Sequence, residues 1–297
     1  MYDRPLEEHT RRALSAACNQ VGLDSSQARL MRLHSNTVIH LPNEETVARL
    51  ALQEAATGVA ASLAVTERLG RLGFPTVRPR VDRVVRAEGL VISFWVYVET
   101  FPTAGKPGEL AGLLKTLHRV DGADLPLTTM KSPLRGVSRA LNEHPNALDD
   151  PDRAWLTREV ARCEGLWDEM TFALPPGLIH GDAHPNNLLH TIGGAVIGDW
   201  DHVAHGPREW DLVQELYFAR RFPTDNDNLD AAARTYGWDL RDWPRHEDLI
   251  AVREISGLGA YIRTSALKPP ARTELAHRIA TLREHATDAR WKSPSTF

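Results

Sequence analysis

Cysteine is scarce. The 297-residue chain has two, Cys18 and Cys163, with no CxxC pair and no Cys/His cluster. That argues against a disulfide framework and against a structural zinc site. Long apolar runs are also missing, and none approaches the roughly 20 residues that a membrane-spanning helix needs. Met1-Tyr2-Asp3-Arg4-Pro5 has no apolar core of a signal peptide, so a cytoplasmic location with no membrane partner is expected. There is no basic excess: Lys+Arg 35 stand against Asp+Glu 39, a formal charge of -4, so no nucleic-acid partner is expected. Both glycine-rich phosphate loops are absent, G-x-x-x-x-G-K-[ST] and G-x-G-x-x-G, and P-loop readings lose ground accordingly.

What the chain does have is a change of periodicity near residue 100. Before it, residues 6–20 read as a helix. Short β-like runs follow at Val38–Leu41 and Val47–Leu50, separated by the turn residues Pro42-Asn43-Glu44-Glu45. Residues 54–72 read as a helix stopped by Gly73 and Pro75, with strand signals at 81–85 and, most strongly, at Leu90–Val98. After it, helical spacing dominates at 110–117, 152–170, 208–221, 248–264 and 272–288, broken by a strand-and-turn stretch at 178–199. The pattern predicts an α+β bilobal chain: a β-rich lobe over 1–100 and a helical lobe over 101–297, joined where Thr100, Pro102, Gly105 and Pro107 crowd together. The acidic run Asp149, Asp150 and Asp152 reads as a solvated loop.

The chemistry concentrates in Leu178-Ile179-His180-Gly181-Asp182-Ala183-His184-Pro185-Asn186-Asn187-Leu188-Leu189, followed by Gly193-Gly194 and Ala195-Val196-Ile197-Gly198-Asp199-Trp200-Asp201. Gly193-Gly194 marks a hairpin turn, so Leu188-Leu189 and Ala195–Ile197 should pair antiparallel. Asn187 and Asp199 then sit together at the hairpin's open end, within reach of one ion. Magnesium favours such hard oxygen donors, completed by substrate phosphates. Asp182, five residues before Asn187, is placed to orient an acceptor hydroxyl and take its proton.

This segment resembles the catalytic loop and metal-binding hairpin of the aminoglycoside phosphotransferase and choline kinase-like family, which has the protein-kinase-like fold. The resemblance covers residues 30–265 in organisation and is strong over 178–212. It implies an ATP- and Mg2+-dependent kinase for a small-molecule hydroxyl, with GTP as an alternative nucleotide. Asp182 would be catalytic, and Asn187 and Asp199 would hold the metal. His180 and His184 would hold the loop's geometry. Asp211, in Gly206-Pro207-Arg208-Glu209-Trp210-Asp211, resembles a buried helix-start Asp bonded back to that loop, and His118 is given a packing role.

On the nucleotide side the resemblance is thinner. Ser35, Asn36 and Thr37 occupy the place of the phosphate-covering turn. Arg49 falls where kinases place the lysine that pairs with the α- and β-phosphates. Ser62 stands where the kinase pattern wants a helix Glu, with Glu54 or Glu67 as substitutes. Phe94, Trp95, Val96 and Tyr97 would form a hinge whose backbone bonds adenine, between Leu50 and Leu189. Asp201 either faces the acceptor or caps local backbone. With Glu209 it would suit a cationic acceptor such as an aminoglycoside, amino sugar or amino alcohol. Competing readings are a protein kinase, disfavoured by the missing Ala-Pro-Glu segment, a nucleotide-binding pseudokinase with little turnover, and a metal-dependent hydrolase.

Overall fold

The computed structural model describes residues 6–33, 36–101, 106, 108–222, 227–265 and 268–292. Ser35 and the expected join at Pro102, Gly105 and Pro107 lie outside them. In chain order the elements begin with α1 (Glu8–Val21), β1 (Arg29–Leu33), β2 (Thr37–Leu41), β3 (Thr46–Leu52), α2 (Ala56–Arg71), β4 (Val85–Ala87) and β5 (Leu90–Val96). Then follow α3 (Glu109–Leu117), α4 (Arg135–Glu143), α5 (Asp150–Asp168), β6 (Gly177–Ile179), β7 (Leu188–Thr191) and β8 (Gly194–Ile197). The chain closes with β9 (Ala204–Gly206), α6 (Glu209–Arg221), α7 (Asp227–Tyr236), α8 (His246–Ser265) and α9 (Pro269–Arg283). The N-terminal part is β-rich and the C-terminal part mainly helical, the protein-kinase-like division. Among the described residues no helix is long and apolar enough to cross a membrane.

The chain divides into two compact units. The first is Met1–Gly105 with Arg119–Thr128 and His180–Ala204; the second is the remainder. The catalytic segment therefore groups with the strand-rich residues, not with the helical ones that flank it in sequence. The reason is backbone bonding. Ile197 donates to the Pro75 carbonyl at 3.0 Å and Val77 donates back to Ile197 at 3.2 Å.

In the first unit five strands form one antiparallel sheet, ordered β1-β2-β3-β5-β4. Strand alternation sends Ile39, Leu41, Ala48, Leu50, Ile92 and Phe94 to one face. There they bury against Ala13, Leu14, Ala17 and Cys18 of α1, residues at helical spacing. Each fully buried Leu, Ile or Phe contributes about 1.5–3 kcal/mol of transfer free energy. Burial pushes the Cys18 thiol up to about 11, so it acts as core filler and not as a nucleophile. Of the expected 81–85 strand region only Val85 lies in a strand, β4, which runs on to Ala87, and β5 ends at Val96, short of Val98.

In the second unit α8 is central, packing on α4, α5, α6 and α9. The acidic run is not a solvated loop. Asp149 caps α5, accepting from the Asp152 N–H at 2.8 Å, and Asp150 and Asp152 lie in the first turn, where the helix dipole favours negative charge. Helices α4 and α7 were not expected from the sequence.

Candidate active site

The loop from His180 to Asn187 is held by backbone-directed bonds. His180 is buried, and its Nε2–H donates to the Gly198 carbonyl at 2.9 Å, while Nδ1 accepts the Asp182 N–H at 3.3 Å. The imidazole thus serves as a neutral bracket between loop and hairpin. Gly181 adopts φ +84, and a Cβ there would meet the His202 carbonyl oxygen at 2.1 Å, so only glycine lets the two turns approach. Asp182 follows with its carboxylate partly exposed, and His184 Nε2 lies 3.5 Å from its Oδ2. Asn187 is buried and donates through Nδ2 to the Asp182 carbonyl at 2.9 Å, which leaves Oδ1 as its acceptor atom.

The hairpin pairs as expected, Leu188 with Ile197 through Thr191 with Gly194. Its two-residue turn is Ile192-Gly193, one position earlier than the Gly193-Gly194 reading, because Gly194 pairs in the ladder at φ +111. Gly198 N–H then bonds the Asn187 carbonyl at 2.9 Å, so Asn187 and Asp199 flank one closed pair at the open end. Asp199 itself adopts φ +61, strain that a non-glycine residue accepts at functional positions.

Both oxygens of Asp199 carry a guanidinium. Arg49 Nη2 donates to Oδ1 at 2.8 Å and Arg32 Nη2 to Oδ2 at 3.3 Å. Arg49 also donates to Asp201 Oδ2 at 2.6 Å, and that atom takes the Asn36 amide at 2.6 Å. Burial works against the Asp199 charge, but Arg49 and then Arg32 overcome it and hold the carboxyl below its ordinary range. Burial pushes Asp201 the other way, with Arg49 opposing. Burial also disfavours the Arg49 cation, yet the two carboxylates outweigh it and keep its pKa raised. The donor set suits Mg2+: an amide oxygen at Asn187 and an ionised carboxylate at Asp199, both hard oxygens. Among the described residues there is no group of three or more His, Cys, Asp or Glu that could hold a metal, so phosphates and water would complete the shell.

The missing helix Glu is accounted for here. Ser62 Oγ donates to the Trp200 carbonyl at 2.8 Å, and a Cβ on Gly58 would lie 3.6 Å from the Asp201 carbonyl oxygen. Small residues let α2 press on the 200–202 turn, leaving no room for a long carboxylate. The counter-ion of Arg49 is instead Asp201. Glu54 is exposed and Glu67 pairs with Arg71. Asp201 thus bonds Arg49 and Asn36 inside the cluster, with its side chain still partly exposed.

The hinge reading also changes. Phe94 faces the core, and its carbonyl accepts from Arg80 at 2.8 Å. Trp95 pairs with Val47, Val96 N–H donates to Arg78 at 2.9 Å, and Tyr97 N–H donates to Glu45 at 2.7 Å. The Phe94 carbonyl and the Val96 and Tyr97 N–H groups are therefore taken by neighbouring main chain. The Tyr97 ring stacks on His40 with centroids 4.1 Å apart. Leu50 is buried in the α1 core and cannot roof an adenine; Val38 and Val47, on the Arg49 side of the sheet by alternation, can. Leu189 is half-buried beside Gly198. Thr37 opens β2 opposite Leu50.

In the second unit Asp211 is buried and takes His118 Nε2 at 3.1 Å, while His118 Nδ1 meets the Tyr236 hydroxyl at 2.9 Å. His118 thus links α3, α6 and α7. Glu209 is fully buried, its Oε1 accepting the Leu174 N–H at 2.7 Å, and burial raises its pKa. A side chain sealed in this way does not meet an acceptor, contrary to the electrostatic expectation. Arg32 was missed by the sequence reading, and nothing in the local pattern marks it.

The sequence profile of the phosphotransferase enzyme family matches residues 32–249. No curated protein matches the chain. Among solved structures it is similar to an amicoumacin kinase in complex with AMP-PNP, Ca2+ and Ami, at 12% identity and TM-score 0.70, covering 95% of this chain and 96% of that one. It is also similar to a choline/ethanolamine kinase family protein from Mesorhizobium loti, at 18% identity, TM-score 0.61, 96% and 94% coverage. A third is a type VIII aminoglycoside-3'-phosphotransferase, at 20% identity, TM-score 0.60, 84% and 100% coverage.

Proposed function

The chain belongs to the phosphotransferase enzyme family and is an ATP- and magnesium-dependent small-molecule kinase; we propose that it phosphorylates a hydroxyl of an amine-bearing alcohol, with Asp182 as base. The observation that carries the reading is the joint placement of Asp182, Asn187 and Asp199. One loop and one hairpin end present a partly exposed carboxylate beside two hard-oxygen donors. Support for the amine comes from two of the similar structures, an aminoglycoside phosphotransferase and a choline/ethanolamine kinase family protein.

The residues divide the work as follows. Asp182 accepts a hydrogen bond from the acceptor hydroxyl. As the acceptor oxygen bonds to the γ-phosphorus, its proton passes to the Asp182 carboxylate, and ADP leaves with the electron pair of the broken bond. Asn187 Oδ1 and Asp199 would hold Mg2+, which supplies charge neutralisation for the triphosphate. Arg49 adds positive charge toward the phosphates, anchored by Asp201. Adenine would lie against Val38 and Val47 on one side and Leu189 on the other. Its edge would reach the main chain beyond Tyr97: among the described residues, the Val98 N–H makes no backbone bond. Asp201 removes the main reason for a turnover-deficient pseudokinase, since the cation has its counter-ion after all. A screen of Mg2+-dependent ATP and GTP consumption over aminoglycosides, amino sugars and amino alcohols tests the reading. Turnover confined to amine-free alcohols would contradict the acceptor class, and phosphate release with no acceptor dependence would favour a hydrolase.

A further inference from the structure

The residue that no sequence feature announces is Arg32. In β1, Arg29 pairs with His40 and Leu30 with Ile39, but Arg32 pairs with Val38, so Met31 is an extra residue in the ladder. This β-bulge changes which way Arg32 points. In an unbroken strand, Arg32 would share the face of Leu30, which is the α1 core. With Met31 bulged out, it joins the row Val38–Arg49–Ser93 on the opposite face. Bulges beside active sites often re-aim a side chain in this way. Its guanidinium ends on the Asp199 oxygen that Arg49 does not take.

Two further observations bear on what it does there. The chain has no glycine-rich loop to supply a cradle of backbone N–H groups. And Arg32 is only loosely held: its side chain is 47% exposed and its bond to Asp199 is the longer of the two, at 3.3 Å. An exposed arginine on a shared carboxylate can change partner at little cost, and the fork geometry of guanidinium suits phosphate oxygens. We propose that Arg32 is a phosphate-binding residue, forming with Arg49 a two-arginine clamp on the β- and γ-phosphates in place of a glycine-rich loop. In the nucleotide-free chain it rests on Asp199, and it moves to the phosphates when the nucleotide arrives. This rests on the kinase reading above.

The test is calorimetry with ATP and with AMP, each in EDTA, on the full chain and on Arg32→Ala and Arg32→Lys. AMP lacks the phosphates in question but shares the rest of the nucleotide. Removing one charge-assisted contact at a half-exposed position should weaken ATP about 5- to 30-fold. AMP affinity should stay within about 2-fold, since a merely structural role would move both nucleotides together. Arg32→Lys should recover part of the ATP affinity, because charge is kept and the fork is lost. If Arg32→Ala leaves the ratio of ATP to AMP affinity unchanged while the parent binds ATP, the clamp is wrong and the kinase reading stands. If the parent binds neither nucleotide in EDTA nor with Mg2+ added, both fall.

Discussion

Two arginine–carboxylate clusters among the described residues are built on opposite principles. In the second unit, Arg221 bonds Glu254 at 2.6 Å and two backbone carbonyls, and Arg278 bonds Glu274, the Tyr261 hydroxyl and the Lys292 carbonyl. Both guanidiniums also lie over the Trp291 ring. Side-chain exposure there is 1–6%. In the first unit, Arg32 and Arg49 share Asp199 and Asp201 at 15–47% exposure, on a residue with positive φ. The first cluster holds each guanidinium on a buried carboxylate and on backbone carbonyls, and pins the C-terminal segment 286–292 to α6, α8 and α9. The second leaves its ions partly solvated and shared, so a ligand can displace them. Satisfaction and burial mark structure; sharing and exposure mark function.

The largest expected effect comes from breaking the buried cluster. Arg278→Ala strands Glu274 in the interior and should cost about 3–5 kcal/mol, read as a fall in the urea midpoint. A loss no larger than that of Arg49→Ala would erase the contrast between the clusters.

A half-buried carboxyl sharpens it. Glu215 of α6 borders a cavity of about 40 Å3 lined by Ala111, Leu114, Leu212 and Tyr236, and burial pushes its carboxyl up to about 7. A raised folded-state pKa means the folded chain holds the proton more tightly than the unfolded one. Stability from this group is therefore complete below the ordinary glutamate value and is lost as pH rises through about 7. Glu215→Gln should be close to neutral at pH 5 and stabilise by about 2–3 kcal/mol at pH 8. Thermal melts at the two pH values check this, and an equal shift at both would contradict it.

The smallest free-energy change is expected at Arg49. Arg49→Ala should weaken ATP binding about 10-fold or more, while costing less stability than Arg278→Ala. Unchanged nucleotide affinity would make Arg49 a structural residue like Arg278.

How much of this was legible depends on sequence distance. Asp182, Asn187 and Asp199 were readable because a contiguous loop and a short hairpin fix their relative places, and a two-residue turn sets the register within one position. Arg49 followed from its place in the second strand of the 38–50 hairpin, where the kinase pattern puts its lysine. Arg32 did not, because its direction depends on a bulge that alternation cannot anticipate. The pairing of Asp201 with Arg49 was not legible because the two lie 152 positions apart, and the burial of Glu209 was not, because charge near a helix start says nothing about burial. The bonds of the hinge residues were not legible either: residues 78–81, only the last of which carried a strand signal, bond the side of β5 that β4 leaves open.

The central claim is that Asp182 serves transfer while Asn187 and Asp199 serve the metal–nucleotide complex, and one variant separates the two. Asp182→Asn keeps the side-chain shape and removes the proton acceptor. Calorimetry with Mg-ATP, run beside turnover of an acceptor found in the screen, should show affinity within about 3-fold of the parent and a rate lower by about 100- to 10,000-fold. Near-parental turnover, or affinity and rate lost in equal measure, would contradict the assignment.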